Sequence, residues 1–166
     1  VTIIDGEKRN AAKVGDAVRR GMRIETGDES FVDIYFDDNA VKILENSVVD
    51  FNELELNIKE ESEKTKLHVK NGKVFCKVAK KLAKNDRFLI STPTTTAGVR
   101  GTEFLVAEEK NKALVACLNG TVEVTNEVSA EKQIVDVPKG KEVSIEAGKE
   151  MTIKDLSAEN RRLLED

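Results

Sequence analysis

Apolar and polar residues alternate in short runs along most of the chain, a period that is typical of β-strands with one buried face. Residues 31–43 show this alternation on both sides of a polar turn, and residues 53–59 show it as Glu-Leu-Glu-Leu-Asn-Ile-Lys. Residues 67–76 and 115–124 continue it around Asn-Gly dipeptides. The pattern predicts an all-β chain that is built from short strands and tight turns.

Three of these turns predict hairpins. Asn-Gly is a preferred sequence for a two-residue hairpin turn because both residues tolerate a left-handed backbone. We therefore predict hairpins about Asp38-Asn39, Asn71-Gly72 and Asn119-Gly120, and we expect Asn39 to carry any left-handed conformation of the first turn. The predicted cross-strand neighbours are Ile34 and Phe36 with Val41 and Ile43, Val69 with Val74, Leu67 with Cys76, and Cys117 with Val122.

Residues 92–104 specify a backbone path rather than a reaction. Pro93 fixes its own φ and holds Thr92 extended, and the threonines that follow favour β geometry. Gly98 and Gly101 supply two points for a positive φ or a close approach of another backbone. The residues singled out as a structural or partner-binding signature are Thr92, Pro93, Gly98, Val99, Arg100, Gly101, Thr102, Glu103 and Phe104.

This signature closely resembles that of the FecR domain, a module of bacterial envelope proteins outside the cytoplasm. The resemblance extends over roughly residues 10–150, with Val14-Gly15-Asp16 and Asn46-Ser47 in its N-terminal half and Val137-Pro138-Lys139-Gly140 in its C-terminal half. Ala40 departs from the family, which often places a small turn residue there.

Short repeated strands suit a solenoid, a roll or a sandwich, and the pattern alone does not choose among them. The resemblance implies an all-β, twisted β-solenoid-like arrangement, with an antiparallel β-sandwich as the alternative. Ser157 is a suitable N-cap, and helix-forming residues follow it. We expect residues 1–156 to form the FecR-like all-β domain and residues 157–166 a short C-terminal helix.

Composition narrows the choice of partners. The chain has 166 residues, a length that suits one domain, and its formal net charge of -4 provides no basic field for nucleic acid. No apolar run is long enough to span a membrane. The chain begins at Val1 rather than Met, so we expect an excised or processed chain from which a signal peptide, lipid anchor or transmembrane helix could have been removed upstream.

The cysteines and the single histidine suggest no reactive centre. Cys76 and Cys117 are too far apart in sequence for a zinc knuckle or a Cys-x-x-Cys motif. Both fall on apolar strand faces, so they are either buried free thiols or, in an oxidising compartment, a disulfide. His68 alternates with Leu67 and Val69, and we expect it to be an exposed bystander.

Other candidate chemistry is weak. Residues 98–102 lack the spacing of a phosphate-binding loop. The run Asp37-Asp38-Asn39 is too short for an EF-hand, and we expect its side chains to cap a turn. Arg100 and Glu103 are either a recognition point or a structural pair, and a structural Arg100 is favoured. Four further lysines form a basic cluster that we expect to be a solvated face, namely Lys77, Lys80, Lys81 and Lys84.

The resemblance implies a non-catalytic extracytoplasmic module, in the periplasm or at the cell surface, that binds a protein partner in the cell envelope and acts in signalling. The alternative is a structural scaffold protein of the cell envelope. We expect no enzyme activity, no cofactor and no metal. Exposed aromatic residues suited to stacking on sugars are scarce, which favours protein over polysaccharide as the partner.

Overall fold

Fifteen strands and one helix make up the part of the chain that the computed structural model describes, residues 1–36, 38–59, 62–78, 86–99 and 101–165. The all-β class with a short C-terminal helix is confirmed. The elements are β1 (Thr2–Asp5), β2 (Lys8–Ala11), β3 (Arg23–Glu25), β4 (Val32–Phe36), β5 (Asn39–Ile43), β6 (Val48–Asn57), β7 (Ser62–Val78), β8 (Arg87–Ser91), β9 (Thr95–Val99), β10 (Glu103–Glu109), β11 (Lys112–Asn119), β12 (Thr121–Asn126), β13 (Gln133–Pro138), β14 (Lys141–Glu146), β15 (Ile153–Asp155) and α1 (Ala158–Glu165).

Two sheets share strand β7. The first sheet has the order β2-β1-β3-β6-β7-β8-β9-β12-β13, and the second has the order β4-β5-β7-β10-β11-β14-β15. The N-terminal part of β7 pairs with β6 and β8, while its C-terminal part pairs with β5 and β10. Neighbouring strands are antiparallel except β7 and β8, within the described part of the chain. One 17-residue strand therefore joins the two sheets covalently.

The chain winds around a core between the two sheets. From β8 onward, successive strand pairs alternate: β8 and β9 lie in the first sheet, β10 and β11 in the second, β12 and β13 in the first, and β14 and β15 in the second. The points of crossing lie side by side, because the Val78 amide donates to the Thr102 carbonyl at 2.8 Å and the Gly140 amide donates to the Cys117 carbonyl at 2.9 Å. We call residues 101–102, 120 and 140 the corner stack.

The core is built from the apolar positions of the alternating pattern. Phe51 and Leu67 of the first sheet and Ile43 and Phe104 of the second belong to one buried cluster. Each fully buried side chain of this size contributes about 1.5 to 3 kcal/mol relative to its exposed state. With few aromatic residues available, branched aliphatic side chains fill most of the space, as is typical of closely packed sheets.

The hairpin predicted near Asp38 is present, with its loop one residue earlier. Ile34 lies opposite Val41, and Phe36 lies opposite Asn39. A loop at Asp38-Asn39 would have placed Phe36 opposite Val41 and Ile34 opposite Ile43, so the predicted register is wrong. Asn39 is therefore the first residue of β5, buried and outside the left-handed region, so the expectation that it carries the turn is wrong. Asp37 lies outside the described residues.

The two Asn-Gly hairpins are wrong predictions. Strand β7 continues through Asn71-Gly72, and β11 and β12, on either side of Gly120, each pair with other strands. The pairs Val69 with Val74, Leu67 with Cys76, and Cys117 with Val122 consequently do not form. Both glycines do have positive φ, +100° at Gly72 and +85° at Gly120, but there the chain passes from one sheet to the other. A left-handed glycine bends a strand at a corner as readily as it closes a hairpin.

The C-terminal helix packs on the outer face of the second sheet. The Ser157 hydroxyl accepts the Asn160 amide at 3.2 Å, which is the predicted N-cap contact. Leu156 and Leu164 cover Leu105 and Ala116, forming a small second apolar cluster. The helix thus shields one part of this face and leaves the part nearer β4 open.

Candidate functional site

The described signature residues lie in the turn between β8 and β9, on β9, on a crossing between the sheets and on β10. Val99 is buried in the first sheet and Phe104 in the second, so the signature carries the chain across the core. Thr92 and Thr102 are buried, Pro93 is exposed, and Gly98, Gly101 and Glu103 are half-buried. Arg100 lies outside the described residues, and its structural role stays a prediction.

The start of the signature is a hydrogen-bonded turn. Thr92 Oγ1 accepts the amides of Thr94 and Thr95, each at 3.1 Å, and lies 3.2 Å from Thr94 Oγ1. Thr94 Oγ1 donates to Glu108 Oε2 at 2.8 Å. Glu108 is 2% exposed, and its other carboxylate oxygen has no hydrogen-bond partner among the described residues. The turn is therefore tied to β10 across the interior.

We expect Thr92→Val to destabilise the protein by about 2 kcal/mol or more, because two buried amides lose their acceptor while the side-chain volume stays nearly constant. Thr92→Ser keeps the hydroxyl and is expected to cost less than about 1 kcal/mol. Urea unfolding of both variants checks this prediction. Equal losses in the two variants would contradict the prediction, because they would show that the hydroxyl contributes no more than the methyl group that serine lacks.

The two signature glycines differ in their backbone conformation. Gly101 has a φ of +65°, as the sequence suggested, and belongs to the corner stack, where Gly120 packs against its carbonyl. Gly98 lies within β9 without a positive φ, and a Cβ there would be 3.3 Å from Leu89 Cδ2. The backbone conformation thus favours glycine at position 101, whereas a side chain at position 98 would need only a small shift of Leu89.

The charged groups of the signature and of the lysine cluster are only partly described. Lys77 Nζ lies 3.5 Å from Glu103 Oε1, a cross-strand pair on the outer face of the second sheet. Such partly exposed pairs contribute at most about 1 kcal/mol. Lys80, Lys81 and Lys84 lie outside the described residues.

His68 is less exposed than predicted. It points away from the face of Leu67 and Val69, as expected, but it is half-buried and its Nδ1 lies 2.8 Å from Ser91 Oγ. Asp50 lies opposite His68 on β6, so an Asp, a His and a Ser lie side by side on three adjacent strands. This row could not be predicted from the sequence, because the three residues are distant in the chain.

This row does not have the geometry of a proton relay. Arg23 donates to both Asp50 oxygens, at 2.5 and 3.1 Å, and holds the pKa of Asp50 below its ordinary value. No hydrogen bond joins Asp50 to His68 among the described residues. The orientation that a carboxylate gives to a catalytic imidazole is therefore lacking. Nor does any group of three or more His, Cys, Asp or Glu side chains in the described ranges suit a metal ion.

Burial lowers the pKa of His68 below its ordinary value of 6.5. As the pH falls through 6.5, the unfolded chain takes up a proton that the folded chain does not, so we expect stability to fall with pH until the folded pKa is passed. The lowered pKa of Asp50 acts in a separate window, because its contribution is lost only below 3.8. As the pH is lowered from about 7 to about 5, the unfolding midpoint of the parent should decline, whereas that of His68→Gln should level off. An identical decline in both would rule out His68 as the titrating group.

Cys76 and Cys117 are free and buried, which decides between the two alternatives left by the sequence. Both lie beside Phe104, one on each side of β10. Their Cα atoms are consequently two strand spacings apart, about 10 Å, whereas a disulfide needs less than about 7 Å. Burial raises the pKa of Cys117 to about 11 and that of Cys76 well above its ordinary value. Neither thiol is a nucleophile at neutral pH.

A groove of about 830 Å³ opens beside the outer face of the second sheet. It is lined by the segments before β4 and between β5 and β6, by the region of the β10–β11 turn and by the helix α1. Leu114 and Leu163 form its apolar wall on the helix side, and Phe31 lies at its other end. Phe31 is 60% exposed and Tyr35, also on this face, is 75% exposed. Two of the seven aromatic residues of the chain are thus solvent-exposed next to one edge strand. The signal in the sequence was the spacing of Phe31, Asp33 and Tyr35 at every second position, and it was not recognised.

These features define an all-β module whose two sheets share one strand and enclose one core. The chain belongs to the FecR family, since the family model described as FecR protein matches residues 22–123. That range contains the whole signature and the first two crossings of the corner stack, and it ends three residues after Gly120.

Solved structures share the fold. The chain is similar to two crystal structures, at 1.65 and 2.50 Å resolution, of a candidate anti-sigma factor from Parabacteroides distasonis, with 16% sequence identity and TM-scores of 0.63 and 0.64. The similarity covers 84% of this chain and 62% of that protein. A search of curated proteins finds no match. The helix of the described part is too short and too polar to span a membrane.

Proposed function

We propose that the chain is a non-catalytic, extracytoplasmic protein-interaction module that acts in envelope signalling. Membership of the FecR family over residues 22–123 carries this proposal. The structural neighbours, named as a candidate anti-sigma factor, favour signalling over a scaffold role. No residue is assigned a catalytic role, because Asp50, His68 and Ser91 lie together without the contacts of a relay.

The geometry is suited to binding a protein. Both sheets are fixed by a shared strand and one core, so the outer faces present side chains in a constant arrangement. The exposed aromatic residues Phe31 and Tyr35 and the groove beside them offer contact area that needs little ordering on binding. Aromatic side chains of this kind are enriched where proteins meet.

The location can be tested with a membrane-impermeant maleimide on intact cells that produce the full-length protein. Cys76 and Cys117 are fully buried, so the parent is expected to remain unlabelled. Glu131→Cys places a thiol at an exposed position and is expected to react without lysis. Reaction of Glu131→Cys only after lysis would contradict an extracytoplasmic location. Labelling of the folded parent would contradict the burial of its thiols.

A further inference from the structure

Strand β4 is an open edge of the second sheet. It pairs only with β5, so one side of its backbone meets no other strand among the described residues. The other sheet edges carry features that discourage pairing: β2 has Lys8 and Arg9, β13 ends in Pro138, and β15 has only three residues. Strand β4, with the sequence Val-Asp-Ile-Tyr-Phe, has no proline and no basic residue.

The hairpin geometry shows which backbone groups are free. Phe36 faces Asn39 across a two-residue loop, and residues that flank such a loop form a hydrogen-bonded pair. By alternation, Val32, Ile34 and Phe36 direct their backbone groups to β5. Asp33 and Tyr35 therefore direct their amides and carbonyls to the open edge, where an added strand can bond to them.

The side chains of this edge favour a basic partner. Phe31, Asp33 and Tyr35 share the outer face, an acid between two aromatic rings. Lys42 of the neighbouring strand β5 already makes such contacts. Its Nζ lies 5.3 Å from the centre of the Phe31 ring and 4.0 Å from Asp33 Oδ1. A lysine or arginine on a strand added at the open side would meet Asp33 and the exposed Tyr35 in the same way.

The charge around β4 also argues against a second copy of the chain as the occupant. Residues 24–41 contain six acidic residues and no basic one. Antiparallel pairing of two β4 strands would bring these acidic segments together, which is unfavourable. A basic extended segment would instead neutralise them.

We propose that the β4 edge binds an extended segment of a partner protein in which basic residues alternate with apolar ones. The basic side chains lie over Asp33 and Tyr35, and the apolar ones cover the half-buried Val32, Ile34 and Phe36 on the other face. This inference rests on the proposed protein-interaction function and specifies the chemistry of the partner.

The test uses a synthetic octapeptide of alternating valine and lysine, titrated into the ¹⁵N-labelled chain. We expect the largest amide shifts at Asp33 and Tyr35. A peptide of alternating valine and glutamate is the matched probe and should produce no such shifts. Equal binding of the two peptides, or shifts confined to other edges, would overturn the proposal.

Three variants separate the contributions. Asp33→Asn should weaken binding about threefold or more, whereas Asp136→Asn, on the β13 edge, should leave it unchanged. Tyr35→Pro removes the outward amide without removing a bond to β5 and should weaken binding about fivefold or more, with thermal melting as the check on folding. Unchanged binding in both Asp33→Asn and Tyr35→Pro would sink the proposal.

Sedimentation of the parent without peptide addresses the rival occupant. A dimer that Tyr35→Pro abolishes would mean that a second copy takes this edge, and would overturn the proposal. These results are independent of the thiol-labelling experiment. If the protein is exported but does not bind the valine and lysine peptide, only the strand-binding inference is wrong.

Discussion

Gly72→Ala is expected to destabilise the protein by about 4 kcal/mol or more, a large part of an ordinary free energy of unfolding of about 5 to 15 kcal/mol. Gly72 has a φ of +100°, and a Cβ there would overlap Ser47, reaching 2.5 Å from its Cα. Ser47 cannot retreat, because its Oγ accepts the Lys73 amide at 3.1 Å and its own amide donates to Thr26 Oγ1 at 2.9 Å. Backbone, and not a flexible side-chain tip, would have to move.

Gly140→Ala is the matched control for this variant. Gly140 has a φ of +78° but no atom within 4 Å of a Cβ, so its substitution should cost only the left-handed strain of about 1 kcal/mol. Urea unfolding monitored by circular dichroism compares the two. Similar losses at the two positions would show that β7 does not pass against Ser47 as described.

Gly120→Val is expected to cost about 3 kcal/mol or more. Its Cβ would lie 2.5 Å from Thr102 Cγ2 and 2.7 Å from the Gly101 carbonyl, in the corner stack, at a φ of +85°. Gly148→Val, at a φ of +75° and in open space, isolates the conformational part of the loss. The melting temperature of Gly120→Val should be well below that of Gly148→Val. Coincident melting curves would contradict the packing of this corner.

The sequence was sufficient for the fold class and for the burial of the apolar strand faces, but not for the burial of polar residues such as Asn39 and Glu108 or for the path of the chain. Alternation correctly predicted that Leu67, Val69 and the two cysteines face the core, because the period of a strand is a local property. The N-cap residue Ser157 and the helix-forming residues after it correctly predicted the C-terminal helix, because capping also depends on neighbours in the chain.

The Asn-Gly dipeptides show that local sequence does not determine which strands pair. The positive φ of Gly72 and Gly120 was predicted correctly, whereas the partner strands were not. What distinguishes a corner from a hairpin is a residue distant in sequence, Ser47 against Gly72 and Thr102 against Gly120. The same limit hid the contact of Thr94 with Glu108 and the row of Asp50, His68 and Ser91, all of which depend on pairing between strands.

The sharing of β7 between the sheets has a mechanical consequence. Sliding of one sheet over the other would require breaking the hydrogen bonds of a continuous strand on both of its sides. A force applied at the β4 edge would therefore be transmitted through β5 and β7 to the first sheet, so the two sheets would move together. A strand added at the β4 edge would thus be held by both sheets, and not only by the sheet that it extends.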